Sequence, residues 1–508
     1  MSPDQDRLDY HPDHRFPVLG RRDLLRASAA IGLATALPAR ALLAAQLPAP
    51  PAAAPKSPRA RNVIFMVADG MSTGTLTLAD MMIRRTASGP AWANWSAGSA
   101  WMSLWGREGV RRATMRTHAL DSLVTDSAAG GSAWGCGQHI NNGCINVTPD
   151  GRQLMPILIH AKQCGKATGV VTTARITHAT PASFYASSPR RDYEGMIGAQ
   201  LLERGIDVAL GGGRTYFPKT ETSKHPDVQF VNNANELRAA KPDGRLVGLF
   251  ASGHVPYVLD RDATRPGLIE MSKVALARLE KNPNGFVLQI EGGRVDHAAH
   301  NNDAGSLVRE QVEFDQAIAA VLEWMKGRDD TLLIITTDHA NANPGLTLYG
   351  ADGNTGFANL AGAKKSFDWI AAKIADIKLP KDRVAKMVPA VLEATGHELT
   401  PGDQRLLEET MQDHRVMPFI ETNKWTSVLG AILANRFGVA FISGNHTADY
   451  VEVTATGPGS QLIGVGPGSI IDNIELHGVM TAALALADAK PLPGMEDPML
   501  LGKPIVPD

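Results

Sequence analysis

The stretch GFVLQIEGGRVDHAAH, Gly285 to His300, passes from an apolar run through a Gly-Gly turn into a segment dense in acids and histidines. Gly285 to Ile290 reads as a buried strand, Glu291 follows it, and the residues after the glycines read as the start of a helix carrying Asp296, His297 and His300. Two other stretches share this build. NVIFMVADG reads as a strand from Asn62 to Ala68 ending at Asp69, and TLLIITTDHANAN as a strand from Thr331 to Thr337 ending at Asp338 and His339. Continuous apolar runs of this length suit central strands of a parallel sheet, which are buried on both faces. Open α/β sheets bind ligands beyond the carboxyl ends of their strands, so the three acid clusters are expected to converge. The fold expected is α/β, a three-layer α/β/α sandwich around a central, mostly parallel sheet.

The spacing inside the clusters points to metal chemistry. Asp296 and His300 are four residues apart and share one face of a helix, as two ligands of one ion must. Oxygen and imidazole donors without thiolate suit zinc in a catalytic site, and oxygen-only groups suit magnesium. A capped helix or a solvated turn accounts for one such cluster but not for three at strand ends.

A fourth stretch, VTDSAAGGSAWGCG from Val124 to Gly137, admits two readings. Asp126 or Ser127 can cap a helix, or Ser127 can be a nucleophile. Gly130 and Gly131 in the first turns each cost roughly 1 kcal/mol relative to Ala, so something is expected to approach this backbone closely, and helix N-termini bind phosphate. RITHATPASFYASSPRRDY adds His178, Thr180, Arg190 and Arg191, and SGNHTADYVEV adds His446 in a Gly-containing turn.

The whole chain sets the context. Its 508 residues are 44% hydrophobic and 20% charged with a net charge of −2, so a large core is available and no general attraction to nucleic acid follows; no nucleic-acid-binding module is expected. GRRDLLRAS places Arg21 and Arg22 ahead of ASAAIGLATAL, and Ala39 to Ala41 offers a small-residue cleavage site. This resembles a twin-arginine export signal over residues 1–45, and the apolar run is shorter than the ~20 residues of a spanning helix. An Ala/Pro-rich linker over 46–60 and a catalytic domain over 61–508 follow, and the expected location is periplasmic or secreted, with the twin-arginine export machinery as partner. Cys136, Cys144 and Cys164 are expected as free or dispensable thiols, since this route carries proteins folded where disulfides are disfavoured. Between His339 and His446, three segments of helix-like spacing punctuated by Pro380, Gly396 and Pro401 read as a helical insertion at about 360–425. It is open to a structural role, to substrate gating or to a subunit contact, as in a homodimer.

Taken in order, VADGM, TDSAAGGSAWGCG, THATPASFYASSPRR, EGGRVDHAAH, TTDHAN and SGNHTADYVEV resemble the alkaline phosphatase family, over Asn62 to about Gly466. The resemblance implies hydrolysis of phosphate monoesters to alcohol and inorganic phosphate through a covalent phosphoserine at Ser127, with two Zn2+ ions and one Mg2+ ion. It implies that Asp296, His300 and His446 hold one zinc, that Asp69, Asp338 and His339 hold the second beside Ser127, and that Asp69, Thr180 and Glu291 hold the magnesium. The small residues after Ser127 would let substrate phosphate reach the helix N-terminus. Arg191, with its neighbour Arg190 as rival, would grip phosphate oxygens through its bidentate fork. His178 and His297 are expected beside the ligands, where some bacterial members carry Asp and Lys and the animal enzymes carry His. Those choices imply magnesium at the third site and a strongly alkaline optimum. A phosphodiesterase or sulfatase of the same superfamily is the nearest rival, but the C-x-P-x-R pattern of sulfatases is absent around Ser127 and diesterases generally lack the third-ion ligands. A non-catalytic periplasmic phosphate-binding protein would need donors rather than a nucleophile beside two metals.

Overall fold

The computed structural model describes residues 59–88, 98–464 and 469–486. The expected export signal, and the linker up to residue 58, lie outside the described residues. Ten strands form the main sheet: β1 (Asn62–Ala68), β2 (Arg111–Arg116), β3 (Ala167–Arg175), β4 (Val208–Gly212), β5 (Val228–Val231), β6 (Arg245–Leu249), β7 (Phe286–Gly292), β8 (Thr331–Thr336), β9 (Val451–Thr456) and β10 (Ile470–Asp472). Their order is β10-β2-β9-β8-β1-β7-β3-β4-β6-β5. Only β9 runs against its neighbours, β2 and β8; every other pairing is parallel.

The three acid-ended strands are adjacent at the centre, with β1 between β7 and β8. Val67 of β1 stands opposite Glu291 on one side and Thr336 on the other, so Asp69, Glu291 and Asp338 emerge at one edge of the sheet. The parallel pairing continues as far as Ala68 opposite Gly292, which carries β7 past Ile290 and makes Glu291 a strand residue rather than the residue after the strand.

Alternation along these strands builds two cores. Val63, Phe65 and Val67 pack with Leu332, Ile334 and Trp134 on one face, and Ile64 and Met66 pack with Leu333, Ile335 and Phe314 on the other. Helices Ser127–Cys136 and Glu475–Ala483 cover the first face, and helices Leu268–Leu279 and Ala304–Trp324 the second. The result is the α/β/α sandwich. Five helices, Gly350–Ala361, Phe367–Ile374, Pro380–Thr395, Pro401–Met411 and Trp425–Phe437, fill the stretch between His339 and His446. They share a third core, containing Ile370, Met387, Val391, Leu407 and Leu429, with Leu78, Met82 and Val308 of the main body. Gly396 ends its helix with φ +77°, a backbone that glycine adopts without strain. Cys136, Cys144 and Cys164 are free thiols.

The glycines after Ser127 admit a neighbouring turn of the chain itself. A Cβ on Gly131 would lie 2.6 Å from the Ser183 hydroxyl, and one on Gly135 would lie 2.1 Å from the Ser183 carbonyl oxygen. The small size of these two glycines thus serves helix packing against residues 180–183. Gly135→Ala is accordingly expected to destabilise by about 1–3 kcal/mol, the usual cost of overpacking. A calorimetric midpoint equal to that of the unaltered chain would contradict this packing.

Candidate active site

Several separate pieces of this architecture deliver the side chains of the site. Asp69 follows β1, Glu291 lies in β7, and Asp338 and His339 follow β8; all four are fully buried. The helix Arg294–His300 presents Asp296 and His300. His446 arrives from beyond the helical insertion through a two-residue antiparallel ladder, His446 opposite Asn341 and Thr447 opposite Ala340, which stacks its ring on that of His339 at 3.5 Å between centroids.

Three groups of donors result. In the first, Asp296 Oδ2 lies 3.4 Å from His300 Nε2, Asp296 Oδ1 lies 3.5 Å from His446 Nε2, and the two Nε2 atoms are 3.0 Å apart. His300 Nδ1 donates to the Gly444 carbonyl at 2.7 Å and His446 Nδ1 to the Thr125 carbonyl at 2.8 Å. A carbonyl can only accept, so both Nε2 atoms are left to face one point, the arrangement by which proteins orient metal-binding imidazoles. Asn341 Nδ2 steadies Asp296 Oδ1 at 2.7 Å. In the second group, His339 Nε2 lies 3.3 Å from Asp338 Oδ2, 3.7 Å from Asp69 Oδ1 and 3.3 Å from Ser127 Oγ. In the third, Asp69 and Glu291 approach with His178, ligand atoms of all three lying within 4.8 Å of one another, and the Thr180 hydroxyl donates to Asp69 Oδ2 at 3.1 Å.

The protein alone leaves these groups unsatisfied. Asp69 Oδ1, Asp338 Oδ2 and both Glu291 oxygens are buried without a hydrogen-bond partner among the described residues. Burial, reinforced by the charges of Asp338, Asp296 and Glu291, raises the Asp69 carboxyl well above the usual carboxylate range. Burial likewise pushes Glu291 up to about 8, and burial with the charge of Asp296 pushes Asp338 up to about 6. Buried like charges are costly unless a cation lies among them. Clustered oxygen and imidazole donors therefore fit divalent ions.

The choice between cap and nucleophile resolves at the helix start. Asp126 is the N-cap, accepting from the Ala129 amide at 2.9 Å. Ser127 is thereby released from capping, and it is only 1% exposed with its hydroxyl on His339. Asp126 also accepts from the Gly143 amide at 3.0 Å and from Arg191 Nη1 at 2.9 Å, so one carboxylate fixes both helix and guanidinium. Arg191 Nη2 donates to His178 Nε2 at 3.0 Å. That donation leaves the His178 proton on Nδ1, turned toward Asp69 Oδ2 at 3.9 Å, which makes His178 a neighbour of the ligands. Arg190 instead pairs with Asp192 at 3.8 Å with its side chain 58% exposed.

His297 lies among histidines, and one of these has no signal in the sequence. The His254 ring sits 4.1 Å from that of His297 and 5.6 Å from that of His178, and its Nε2 meets Arg175 Nη1. Burial first, then neighbouring cationic groups, holds His178, His254 and His297 well below the ordinary imidazole range, so this wall is neutral at physiological pH. His254 follows β6 in a turn, SGHVP, that has neither the acid-ended strand nor ligand spacing.

The family model described as alkaline phosphatase matches residues 60–486. Alkaline phosphatase 4 of Bacillus subtilis is 32% identical over 418 residues, covering 79% of this chain and 84% of the relative. The repressible alkaline phosphatase of Saccharomyces cerevisiae is 36% identical over 322 residues, covering 56% of this chain and 55% of the relative. The crystal structure of Thermus thermophilus alkaline phosphatase superimposes with a TM-score of 0.75 at 31% identity, covering 84% of this chain and 92% of that one. The chain belongs to the alkaline phosphatase family. Its activity is the metal-dependent hydrolysis of phosphate monoesters.

Asp69 contributes to two of the donor groups and Glu291 to one. After equal dialysis, Asp69→Asn is expected to lose the ions of both groups, whereas Glu291→Gln loses only one. Elemental analysis of the two variants checks this, and a full complement in Asp69→Asn would show that Asp69 bridges nothing.

Proposed function

We propose that the chain is an exported phosphomonoesterase that works through a phosphoserine at Ser127 and uses two zinc ions and one magnesium ion. The observation that carries the reading is the Ser127 hydroxyl itself. It is free of any capping duty at a helix N-terminus and lies 3.3 Å from His339 Nε2, on the edge of the second donor group. Asp296, His300 and His446 hold one zinc, Asp69, Asp338 and His339 hold the other, and Asp69, Thr180 and Glu291 hold the magnesium. Bound there, such ions supply charge for the attacking and leaving oxygens and make the serine and water hydroxyls more acidic.

The residues of the chain do the rest. Ser127 Oγ gives up its proton and attacks phosphorus in line with the ester oxygen; the new O–P bond forms as the ester P–O bond breaks, and the departing alkoxide takes up a proton. Water then attacks the phosphoserine, releasing inorganic phosphate and restoring the hydroxyl. Arg191, with Nη1 tethered by Asp126, offers its fork to phosphate oxygens. The first amides of the helix add fixed positive potential where the charge gathers.

Ser127→Ala is expected to keep its fold and bound ions but to lose the acid-trapped phosphoenzyme, with kcat lower by roughly 10³-fold or more. Phosphoserine forming elsewhere at the unaltered rate would overturn the assignment.

Export rests on the Arg21-Arg22 pair ahead of an apolar run and a small-residue cleavage site, which together suit delivery of folded, metal-loaded enzyme to the periplasm or medium. Replacing both arginines by lysine is expected to strand active enzyme in the cytoplasm. Fractionation that finds the usual periplasmic yield would exclude the twin-arginine route.

A further inference from the structure

Sharing no residue with the donor groups already described, His118, His139 and Asp472 bring one ligand atom each to within 4.8 Å of one another. They come from three separate parts of the chain. His118 lies two residues beyond β2, Asp472 is the last residue of β10, and β10 pairs in parallel with β2 so that Asp472 stands opposite Arg116. His118 and Asp472 therefore leave the sheet at the same end. His139 comes from the helix that begins with Ser127: that helix ends at Gly137, whose φ of +75° turns the chain back, and His139 follows two residues later.

The three side chains are arranged as ligands. His139 Nε2 lies 2.9 Å from Asp472 Oδ1, with side chains only 17% and 22% exposed, and the rings of His118 and His139 lie 4.2 Å apart at 34°. An ion pair explains the contact of His139 with Asp472. It does not explain why a second imidazole is held against the first with a nitrogen in reach of the same carboxylate. The surroundings are fixed. His477 Nδ1 donates to the Trp134 carbonyl at 2.8 Å in the last turn of the Ser127 helix, and the Asp472 amide donates to Glu475 Oε1 at 2.8 Å.

We infer that His118, His139 and Asp472 form a separate site for a divalent ion of the zinc type. Two imidazole nitrogens and one carboxylate oxygen, with thiolate absent, select zinc over calcium or magnesium, and partial exposure leaves room for water as a fourth ligand. His139 lies on the segment that runs back from Gly137 along the Ser127 helix, and its next residue, Ile140, packs with Ala119 and Ala129. An ion there ties the segment after that helix to the β2–β10 edge of the sheet. Binding to the folded chain alone stabilises it by mass action.

The test uses zinc itself, added to enzyme whose catalytic ions are already in place. After desalting, the unaltered chain is expected to retain one more zinc per chain than a His118→Ala/His139→Ala variant, and added zinc is expected to raise the thermal midpoint of the unaltered chain only. The kcat is expected to be equal in the two. Equal zinc counts in the two folded proteins would overturn the site. Should the double variant not fold, anomalous diffraction at the zinc edge from crystals of the unaltered chain decides: a peak among the three side chains supports the site, and its absence overturns it. Neither measurement depends on the roles assigned to the catalytic residues.

Discussion

Four carboxylates, those of Asp69, Glu291, Asp296 and Asp338, are buried within one small volume, and their mutual repulsion is the constraint the rest of the structure answers. In a low-dielectric interior, like charges at such separations cannot all stay ionised without compensation. Burial first, then the charges of neighbouring carboxylates, raises the carboxyls of Asp69, Glu291 and Asp338. Asp296 behaves differently: burial pushes it up, but His300, His446 and His339 together outweigh burial and hold it well below the usual range. The apolar strands β1, β7 and β8 supply the rigidity that keeps the acids together. They are buried on both faces by separate cores, so the acids cannot relax apart without disturbing the centre of the sheet.

A second economy lies in Asp126. One carboxylate caps the helix of Ser127, receives the Gly143 amide and anchors Arg191. Nucleophile and guanidinium are thus positioned by the two oxygens of one side chain, Oδ1 on the helix start and Oδ2 on Arg191. A shift of the helix start would carry the arginine with it, which preserves their separation better than two independent supports would.

The central strands and their terminal acids were legible because a strand covered on both faces must be apolar throughout, a pattern few other elements produce. The convergence of Asp69, Glu291 and Asp338 followed from parallel pairing alone. The outer strands were hidden for the complementary reason. RRATMR of β2 is exposed along much of its length, so it carries no uniform apolar run. Whether Asp126 or Ser127 caps the helix was undecidable from composition, since both are good caps; the difference is made by Arg191 and Gly143, distant in sequence. His446 and Arg191 were reached only through resemblance to the family. His254 was missed because its role depends on the approach of His297 and His178 from other elements. The glycines after Ser127 did announce a close approach, but not that the approaching group would be Ser183.

The short ladder that carries His446 has a consequence of another kind. The chain leaves the site after Asn341 and returns to it at His446, and a neighbouring pair of short strands, Gly345–Leu346 against Val439–Ala440, clasps the same two segments a little further out. Everything between is a closed excursion whose two ends are knotted side by side. Loop-closure entropy grows only slowly with length, so such an excursion can be lengthened, shortened or exchanged while its anchorage stays put. The outer faces of the five helices are therefore free to vary, while the faces that join Leu78 and Val308 in the third core must keep their apolar character.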